Sequence, residues 1–454
     1  MSVSPRGQLH LDDGRFVEPS ANSLRLRRGD VLFNNTNSPA WVGKTAVVEC
    51  DIELAFSNHM TRIRLPEVFS QAFLAAQLHF LCGSGYFREQ CKKHVNQASI
   101  SRKFLSESTP IVMPPANEQN RIVLAVDALQ ERSERARSLL DEVGELVEQL
   151  RQSVLHSTFN GTLTADWRAE NPDVEPASEL LARIRAERRE RWEATELAKF
   201  EAKGKKPPKN WQSKYKEPEP IDDTNLPDLP QGWCWAPLPL MGEMGRGKSR
   251  HRPRNAEHLY GGPYPFVQTG DVAQATGYLT RSTQTYSEEG LAQSKLWREG
   301  TVCITIAANI ASSAILTFPA CFPDSVVGIV PDDSICPGEF IEFFIRTAKQ
   351  DLDRFAPATA QKNINLGTLE ALAVPLPPKQ EMTHLVFILQ EIMSQIEALE
   401  AVALNGVGAL DQLDRSILAK AFRGELVPQD PNDEPAIELI AKMSLAHDVG
   451  DEDD

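Results

Sequence analysis

The chain has 454 residues, more than a single hydrophobic core normally serves, so two or three domains are expected. Hydrophobic residues make up 41% of the sequence, and no apolar run approaches the roughly 20 residues of a membrane span. We therefore expect a cytoplasmic protein without a signal peptide or membrane contact, whose seven scattered cysteines are reduced thiols and neither disulfides nor metal ligands.

Net charge is distributed unevenly along the chain. The formal charge is −15 in total, and residues 377–454 alone carry −11, whereas residues 1–113 carry +3 and residues 229–376 carry −2. The total argues at first against a nucleic-acid ligand, but most of the acid lies in one segment. Local basic patches in the two near-neutral segments remain candidates for contact with phosphate.

Residues 1–113 are predicted to form a mixed α/β domain, because β-branched runs such as Val31–Phe33 and Thr45–Val48 alternate with Gly, Pro and Asn. An amide-rich loop follows the first run. Amide side chains on a loop can read adenine with two hydrogen bonds, and they are equally ordinary turn formers. The candidate DNA-binding residues of this domain are Asn34, Asn35, Asn37, Ser38, Lys44, Gln97, Ser99, Arg102 and Lys103.

Residues 114–165 are predicted to form one long helix after Pro114-Pro115. Apolar residues recur in alternating steps of four and three from Ile122 to Val154, which is a span of roughly 48 Å at the helical rise. Phe159-Asn160-Gly161 is predicted to end the helix, with the glycine as a left-handed cap. The predicted apolar seam includes Ile122, Val126, Leu129, Leu140 and Leu150.

Residues 166–228 are predicted to be a long linker. A charged helical run extends from Arg183 to Lys203, and a Lys- and Pro-rich connector follows that should be extended. The charged run is either a solvated helix face or a contact with a partner subunit or nucleic acid.

Residues 229–376 are predicted to form a second mixed α/β domain, with strands in Thr301–Ile306 and Val326–Val330. The segment beginning at Glu299 aligns with the one beginning at Arg28, so the two domains are expected to be related. A basic loop without an intervening acid suits phosphate contact, although it could also be merely solvated. The candidate DNA-binding residues here are Arg246, Lys248, Arg250, Arg252, Arg254, Asn309, Gln361, Lys362 and Asn363.

The basic loop overlaps a literal Walker A pattern, Gly242-Glu-Met-Gly-Arg-Gly-Lys-Ser249. A phosphate-binding loop needs a buried strand before it and a helix after it. Pro237 and Pro239 interrupt the candidate strand, and the run Arg250–Arg254 cannot readily begin a helix. A nucleotide-dependent enzyme is therefore kept as an alternative to a flexible basic loop.

Residues 377–427 repeat residues 114–165 at a constant offset of 263. Pro377-Pro378 and Glu381 match Pro114-Pro115 and Glu118, and the ending of the second helix at Phe422-Arg423-Gly424 matches that of the first. A constant offset indicates two copies of one structural unit. The second seam includes Leu385, Leu389, Ile392, Leu399 and Leu413, and Gly406 and Gly408 are expected to weaken the middle of this helix.

The shared register favours pairing of the two helices with each other, and the alternative is two core helices of separate domains. An antiparallel coiled coil would give a pseudo-two-fold α+β architecture with the flanking domains at opposite ends. The predicted domains are thus 1–113, 114–165, 166–228, 229–376, 377–427 and an acidic tail at 428–454. About 40 residues of the second domain lack a counterpart in the first, so the first domain is expected to be shortened or the given start is not the natural one.

No coherent catalytic constellation is found. The sequence lacks an Asn-Pro-Pro-aromatic motif for amino methylation, a dinucleotide fingerprint and metal-ligand spacing among its histidines. These absences favour a binding subunit, and a scaffold carrying two modules for ligands other than DNA remains a further alternative.

The repeated units carry a family likeness. Pro114 to Val123, the long helix and the run Leu150 to Leu163 resemble the conserved helical region of type I restriction–modification specificity subunits, and Pro377 to Leu426 resembles the distal conserved region. Leu229 to Trp235 looks like the start of a target-recognition domain. The second copy departs from the pattern, since Met382 replaces the glutamine at 119 and His384 replaces the arginine at 121.

The resemblance implies a non-catalytic reader of double-stranded DNA. Each recognition domain would read one half-site, and the helix pair would set the gap, for which roughly 48 Å corresponds to about 14 base pairs at 3.4 Å each. Two methyltransferase subunits and restriction subunits acting as translocases would dock on it. No cofactor is expected in this chain, because S-adenosylmethionine, ATP and Mg²⁺ would belong to the partner subunits.

Overall fold

The computed structural model describes residues 2–4, 7–11, 25–50, 54–66, 69–93, 97–224, 226–251, 253–354 and 366–441. Four predicted site residues, namely Arg252, Gln361, Lys362 and Asn363, lie outside the described residues. The chain divides into two compact units. Unit 1 consists of residues 1–144 and 401–454, and unit 2 consists of residues 145–400.

Both units mix helices and strands, as predicted. The strands are β1 (Ser2–Val3), β2 (Leu9–His10), β3 (Arg25–Leu26), β4 (Val31–Asn34), β5 (Thr36–Asn37), β6 (Thr45–Val47), β7 (Leu54–Ala55), β8 (Met60–Ile63), β9 (Lys92–Lys93), β10 (Ala98–Ser99), β11 (Cys234–Pro237), β12 (Gly242–Arg246), β13 (Tyr260–Phe266), β14 (Gly277–Leu279), β15 (Gln284–Tyr286), β16 (Leu296–Trp297), β17 (Val302–Thr305), β18 (Ser313–Leu316), β19 (Ala320–Cys321), β20 (Val326–Pro331) and β21 (Ala373–Leu376). The helices are α1 (Gln71–Gly83), α2 (Tyr86–Gln90), α3 (Arg102–Glu107), α4 (Ala116–Phe159), α5 (Ala165–Glu170), α6 (Ala177–Ala202), α7 (Thr269–Gln274), α8 (Glu288–Ala292), α9 (Gly338–Arg354), α10 (Leu366–Glu370) and α11 (Lys379–Phe422).

The two units share a three-stranded motif. In unit 1 the strand order is β6-β4-β8, and in unit 2 the equivalent strands β18-β17-β20 lie within a five-stranded sheet of order β12-β20-β17-β18-β14. The central strand follows a glycine with positive φ in both units, 88° at Gly29 and 79° at Gly300. The N–H of Gly29 donates to Val48 O, and that of Gly300 donates to Leu316 O, each at 2.8 Å. The predicted alignment of these segments is confirmed at this motif.

A long helix covers each motif. The side chains of Phe73 and Leu78 on α1 pack in one buried cluster with Phe33 of β4. In unit 2, Phe340 and Ile341 on α9 are buried with Ile304 of β17. The apolar residues of these strands and helices therefore form the core beneath each sheet.

The two 44-residue helices α4 and α11 confirm the prediction of two long helices. Both end at a glycine in the left-handed region, with φ of 76° at Gly161 and 71° at Gly424. At the second end, the N–H of Gly424 donates to Ala421 O at 3.2 Å, and that of Glu425 donates to Lys420 O at 2.9 Å. This pair of bonds is a Schellman motif, which satisfies carbonyls that the helix leaves free.

The parts of α4 and α11 that lie in one unit run antiparallel to each other. In unit 1, Ile122 near the start of α4 is buried with Ala421 near the end of α11, and further along Arg137 pairs with Asp411 at 2.7 Å and Asp414 at 2.6 Å. In unit 2, Arg151 of α4 hydrogen-bonds Glu400, and Leu155 is buried in the same cluster as Leu385.

The predicted heptad seam differs from the observed burial at several positions. Leu150, Leu399 and Leu413 are 46%, 49% and 49% exposed, although Ile122, Val126, Leu385 and Leu389 are buried as expected and Leu129, Leu140 and Ile392 are half-buried. Ser133 and Val147 are buried as the predicted seam requires, and Arg137 and Leu155, which lie outside that seam, are buried as well. These positions share one face at the natural helical period of about 3.6 residues per turn, so they do not require a left-handed supercoil.

Gly406 does not interrupt α11, contrary to the expected weakening. A Cβ at this position would lie 3.1 Å from Leu140 Cδ1 in unit 1, whereas a Cβ at Gly408 would meet nothing within 4 Å. Gly406 therefore provides the space into which Leu140 packs, and Gly408 lies on an open face of the helix.

The predicted linker is largely folded. Its charged run forms part of α6, whose residues Ala177, Leu180 and Ile184 are buried in the core of unit 2. The segment after α6 does not extend away but returns along the helix, where Trp211 stacks on Trp192 with ring centroids 5.8 Å apart. Aromatic contacts hold this segment against α6. The Lys- and Pro-rich composition gave no indication of these contacts.

A buried carboxylate fixes the start of α11 in unit 2. Glu381 is fully buried and accepts hydrogen bonds from Thr164 Oγ1 at 2.6 Å, Arg168 Nη2 at 2.8 Å and Trp233 Nε1 at 3.0 Å. Its repeat counterpart Glu118 is 4% exposed, and among the described residues it forms no hydrogen bond or ion pair. Three segments of unit 2 therefore meet at one charge, and the duplicated position in unit 1 does not copy this arrangement.

The first part of the predicted tail is folded in unit 1. Arg121 of α4 pairs with Asp433 at 2.6 Å, and Leu439 is 3% exposed in the same buried cluster as Ile122. None of the described helices is both long enough and apolar enough to cross a membrane.

Candidate nucleic-acid interfaces

Sheet topology brings two predicted sites of unit 2 to one edge. Strand β12 runs antiparallel to β20, which runs antiparallel to β17, so Arg246 pairs with Val327 and Thr305 pairs with Val326. The ends of β12 and β17 therefore lie on either side of the start of β20. The basic loop after β12 and the loop containing Asn309 after β17 consequently leave the sheet at the same edge.

The basic loop carries its own counter-charge. The guanidinium of Arg246 donates to the backbone carbonyl of Asp324 at 2.6 Å, and Arg254 pairs with the carboxylate of Asp324 at 2.9 Å. Both members of the ion pair are roughly half exposed, at 49% and 43%. Exposed pairs of this kind contribute about 0–1 kcal/mol, so an incoming phosphate can replace the carboxylate at little cost.

Lys248 and Arg250 have exposed side chains while their backbone is fixed. The N–H of Lys248 donates to Phe322 O at 3.0 Å, and the N–H of Arg250 donates to Gln293 Oε1. Neither side chain forms an ion pair among the described residues. The sequence prediction missed Lys295, which joins this region because Ser294 Oγ donates to Lys248 O at 2.8 Å.

The Walker A pattern does not form a phosphate-binding loop. Gly242–Arg246 is strand β12, paired with β20 along its whole length, and no helix follows the pattern among the described residues before position 256. Gly247 is required for a different reason, since a Cβ there would lie 2.3 Å from the carbonyl oxygens of Phe322 and Pro323. The nucleotide-dependent enzyme is therefore not favoured.

The loop containing Asn309 has unusual backbone geometry. Ala308, Asn309 and Ala311 have positive φ values of 47°, 49° and 58°. The Oγ1 of Thr305 donates to Asn309 O, and the N–H of Ser312 donates to Thr305 Oγ1 at 3.1 Å. Left-handed alanines are uncommon and cost free energy, which the surrounding hydrogen bonds offset. The loop exposes the Asn309 side chain next to the basic loop.

In unit 1 a small sheet brings the two predicted polar segments together. The order β5-β10-β9 places Asn37 opposite Ala98 and Thr36 opposite Ser99. The side chains of Gln97, Arg102 and Lys103 are exposed, and Asn37, Ser38 and Ser99 are half-buried beside them. The sequence prediction missed Lys92 and Lys93, which form the exposed strand β9 of this sheet. The two adjacent lysines in the sequence were the signal that could have identified this strand as part of the surface.

Three predicted residues of unit 1 are buried or hydrogen-bonded within the unit. Asn34 is 7% exposed, Asn35 Nδ2 donates to Asn58 O at 3.2 Å and Thr61 Oγ1 at 3.0 Å, and Lys44 Nζ donates to Val3 O. Burial lowers the pKa of Lys44. These contacts shape the loop, so the prediction that all three bind DNA directly is not favoured.

The described residues contain no cluster of three or more His, Cys, Asp or Glu side chains that could hold a metal ion. Burial raises the pKa of both the Cys82 and the Cys234 thiol to about 11. A thiol with such a pKa is largely protonated near neutral pH and is a poor nucleophile.

Residues 241–407 match the family model described as the type I restriction modification DNA specificity domain. The specificity subunit of the EcoDI enzyme of Escherichia coli is 25% identical over 70% of this chain and 63% of its own length. The StySPI specificity subunit of Salmonella potsdam is 30% identical over 37% of each chain, and the EcoKI subunit of Escherichia coli is 21% identical over 88% and 75%.

A solved chain from a study of complex assembly and conformational transition in the type I R-M system has the same fold. It superposes with a TM-score of 0.58 at 22% identity and covers 88% of this chain and 83% of its own length. The chain spans less than two thirds of the length of the EcoDI relative. The family match covers the strands and loops of unit 2 that form the basic sheet edge, and the chain is similar over most of its length to the EcoDI and EcoKI specificity subunits of type I restriction enzymes.

Proposed function

We propose that this chain is the DNA-reading subunit of a type I restriction–modification complex and that it recognises a split target. The observation that carries the proposal is the sheet edge of unit 2, where the basic loop and the Asn309 loop emerge together within the matched family domain. Cations supply phosphate contact, and an amide beside them supplies a group that can read base edges. The β5-β10-β9 sheet of unit 1, which carries the polar side chains described above, would read the other half-site.

The two long helices form the spacer in this proposal. The antiparallel contacts within each unit support an antiparallel pair with approximate two-fold symmetry, which would hold two reading surfaces at a fixed separation. Buried polar groups such as Arg137 between helices fix register in other helix pairs, and we assign the same role here.

Catalysis belongs to the partner subunits in this proposal. Two methyltransferase subunits would bring S-adenosylmethionine, and restriction subunits would bring ATP and Mg²⁺, while this chain supplies sequence selection. The complex would act in the cytoplasm, where the DNA of the host cell and of invading phage is accessible.

Methylome sequencing of cells that express the complete system tests this proposal. We expect methylated adenine in a motif of two short half-sites separated by a fixed number of unspecified bases. Replacement of Lys248, Arg250 and Asn309 together should abolish that methylation, whereas the same number of substitutions at exposed positions of α6 should leave the motif unchanged. A continuous motif, or none, would contradict the proposal.

A further inference from the structure

A cluster of lysines lies far along the sequence from the basic loop. Residues 199–216 contain seven lysines and one acidic residue, in a chain whose total charge is −15. We call residues 203–209 the lysine tip, because they form the turn at the end of α6. The side chains of Lys203, Lys205, Lys206 and Lys209 are exposed, and none forms an ion pair or hydrogen bond among the described residues.

The tip has a defined backbone. Gly204 has φ of 61°, its N–H donates to Glu201 O at 2.9 Å, and the N–H of Lys205 donates to Phe200 O at 3.0 Å. These bonds form a Schellman motif that ends α6. Pro207 and Pro208 then restrict the chain between Lys206 and Lys209.

Aromatic packing holds the returning segment against the helix. Trp211 contacts both Trp192 and Phe200, with ring centroids 5.8 Å and 6.5 Å away, and Tyr215 lies 5.4 Å from Trp192. Gln212 Nε2 also donates to Glu193 Oε2 at 3.2 Å. This aromatic clasp, formed by Trp192, Phe200, Trp211 and Tyr215, presents the four lysines on a fixed turn and not on a random coil.

The lysine tip and the basic loop are different surfaces of unit 2. Arg191 of α6 pairs with Asp332 at 2.8 Å, just after the end of β20, whereas the basic loop lies at the start of that strand. Lys203 follows Arg191 by twelve residues of helix, which is roughly 18 Å. Cations favour helix C-termini, which accounts for Lys199 and Lys203, but the other three lysines of the tip lie beyond the helix.

We propose that the lysine tip is a second DNA contact, which binds the phosphate backbone without regard to sequence and away from the bases that are read. The inference rests on the proposed function. Its chemistry favours phosphate over a protein partner, because lysine is depleted in protein–protein interfaces whereas ammonium groups act as point charges for phosphate. The aromatic side chains that a protein interface would use pack on one another in the clasp.

The salt dependence of DNA binding tests this proposal. The full chain, assembled with its methyltransferase subunits, is titrated with a duplex carrying the methylated motif and with a random duplex of equal length, at salt concentrations from about 50 to about 200 mM. Replacement of all four lysines by Gln should reduce the slope of log K against log salt by roughly 0.9 for each lysine that neutralises a phosphate, equally for both duplexes. The matched variant with four Arg residues should keep the wild-type slope.

Two controls distinguish phosphate contact by the lysine tip from the effects of a change in net charge or in stability. K349Q/K420Q removes two exposed lysines elsewhere and, when compared with K205Q/K206Q, shows how much of the change arises from net charge alone. Thermal unfolding should be unchanged in K205Q/K206Q, because these two side chains lie beyond the end of α6 and form no hydrogen bond or ion pair with the described residues.

The tip proposal fails if the four-Gln variant keeps the wild-type slope on both duplexes while the motif is still recognised. It also fails if methyltransferase subunits no longer copurify with the four-Gln variant, since the tip would then be a protein contact. The absence of a split motif in the methylome overturns the proposed function itself, and is therefore distinguishable from a failure of the tip.

Discussion

Phe159 and Phe422 are separated by 263 residues and end the two long helices with equivalent ring contacts. The ring of Phe159 lies 5.4 Å from that of Phe340 on α9, and the ring of Phe422 lies 5.5 Å from that of Phe73 on α1. Each repeat thus anchors the helix that covers a three-stranded motif. The repeated sequence therefore forms an equivalent helix–helix contact in each of the two units.

Replacement of Phe159 by Ala should lower the free energy of unfolding of unit 2 by about 3 kcal/mol, because it leaves a cavity between α4 and α9. The side chain is 8% exposed, whereas Leu146 on the same helix is 62% exposed. Leu146→Ala should therefore change stability by less than about 0.5 kcal/mol. Denaturant unfolding monitored by circular dichroism measures both, and equal destabilisation would contradict the assigned packing.

Glu381→Gln should destabilise unit 2 by about 3 kcal/mol, because Arg168 is left without its buried counter-charge. The same substitution at Glu118 should cost much less, since Glu118 has no such partner among the described residues. Calorimetric unfolding of the two variants provides the comparison. A larger destabilisation by Glu118→Gln would mean that the three-segment junction does not depend on the charge of Glu381.

Gly408→Ala should stabilise the protein by about 0.5–1 kcal/mol, because alanine is the better helix former and the position is open. Gly406→Ala should stabilise less or should destabilise, since its Cβ meets Leu140 at 3.1 Å. The double variant G406A/L140A should recover part of the difference. Equal stabilisation by the two single variants in thermal unfolding would rule out close packing at Gly406.

Acid stability should depend on Asp30. Burial alone would raise the pKa of this carboxyl, but the hydrogen bonds from Arg64 and from the backbone of Arg27 hold the pKa below its usual value of 3.8. A carboxyl with a lowered folded-state pKa stabilises the fold above its unfolded pKa, and this stabilisation disappears as the pH falls through the folded value. Asp30→Asn should therefore be less stable than the wild type at about pH 6 but nearly equal to it at about pH 2. A difference that stays constant with pH would contradict the pairing.

Asp324→Asn should strengthen DNA binding, because it removes the carboxylate that pairs with Arg254. We expect the slope of log K against log salt to become steeper by roughly 0.9 if Arg254 then binds a phosphate. Asp333→Asn removes the same charge from an exposed position after the opposite end of β20 and should have little effect. Fluorescence anisotropy with a labelled duplex distinguishes the two variants, and an identical response would assign the effect to net charge.

Local sequence signals predicted the positions of the helices and strands better than the contacts between them. The constant offset, the Pro-Pro pairs and Gly161 and Gly424 indicated both long helices and their ends, because these signals act within a few residues. The strands around Val31 and Val302 followed from β-branched runs and turn residues. Each of these features is determined by residues that are close together in the sequence, so it could be predicted without knowledge of tertiary contacts.

The phase of the helices could not be obtained in this way. Leu150 and Leu413 fit a heptad as well as any residue, but Arg151 and Asp414 take the more buried positions beside them because each has an ionic partner on the other helix or in its own turn. Leucine content indicates that a helix has an apolar face. It does not determine which neighbouring residue a partner helix covers, since that depends on residues that lie far away in the sequence.

The residues of the two candidate binding surfaces could be predicted only in part, because some of them are brought together by distant strands. The basic residues from Arg246 to Arg254 are evident as a run, whereas the pairing of Arg254 with Asp324 arises from the sheet topology. Lys92 and Lys93 reach the polar patch of unit 1 only through the pairing of β9 with β10. Charges that meet across strands leave no local pattern.

The aromatic clasp has a consequence for how this protein can change. Trp192, Phe200, Trp211 and Tyr215 all come from 24 consecutive positions, so the far end of α6 carries a small core of its own. The turn that it supports can vary in length and charge without disturbing the sheets of unit 2. Such a self-contained arm can be exchanged between related chains as one piece, and it offers evolution and protein engineers a site where new surface can be added while target selection stays intact.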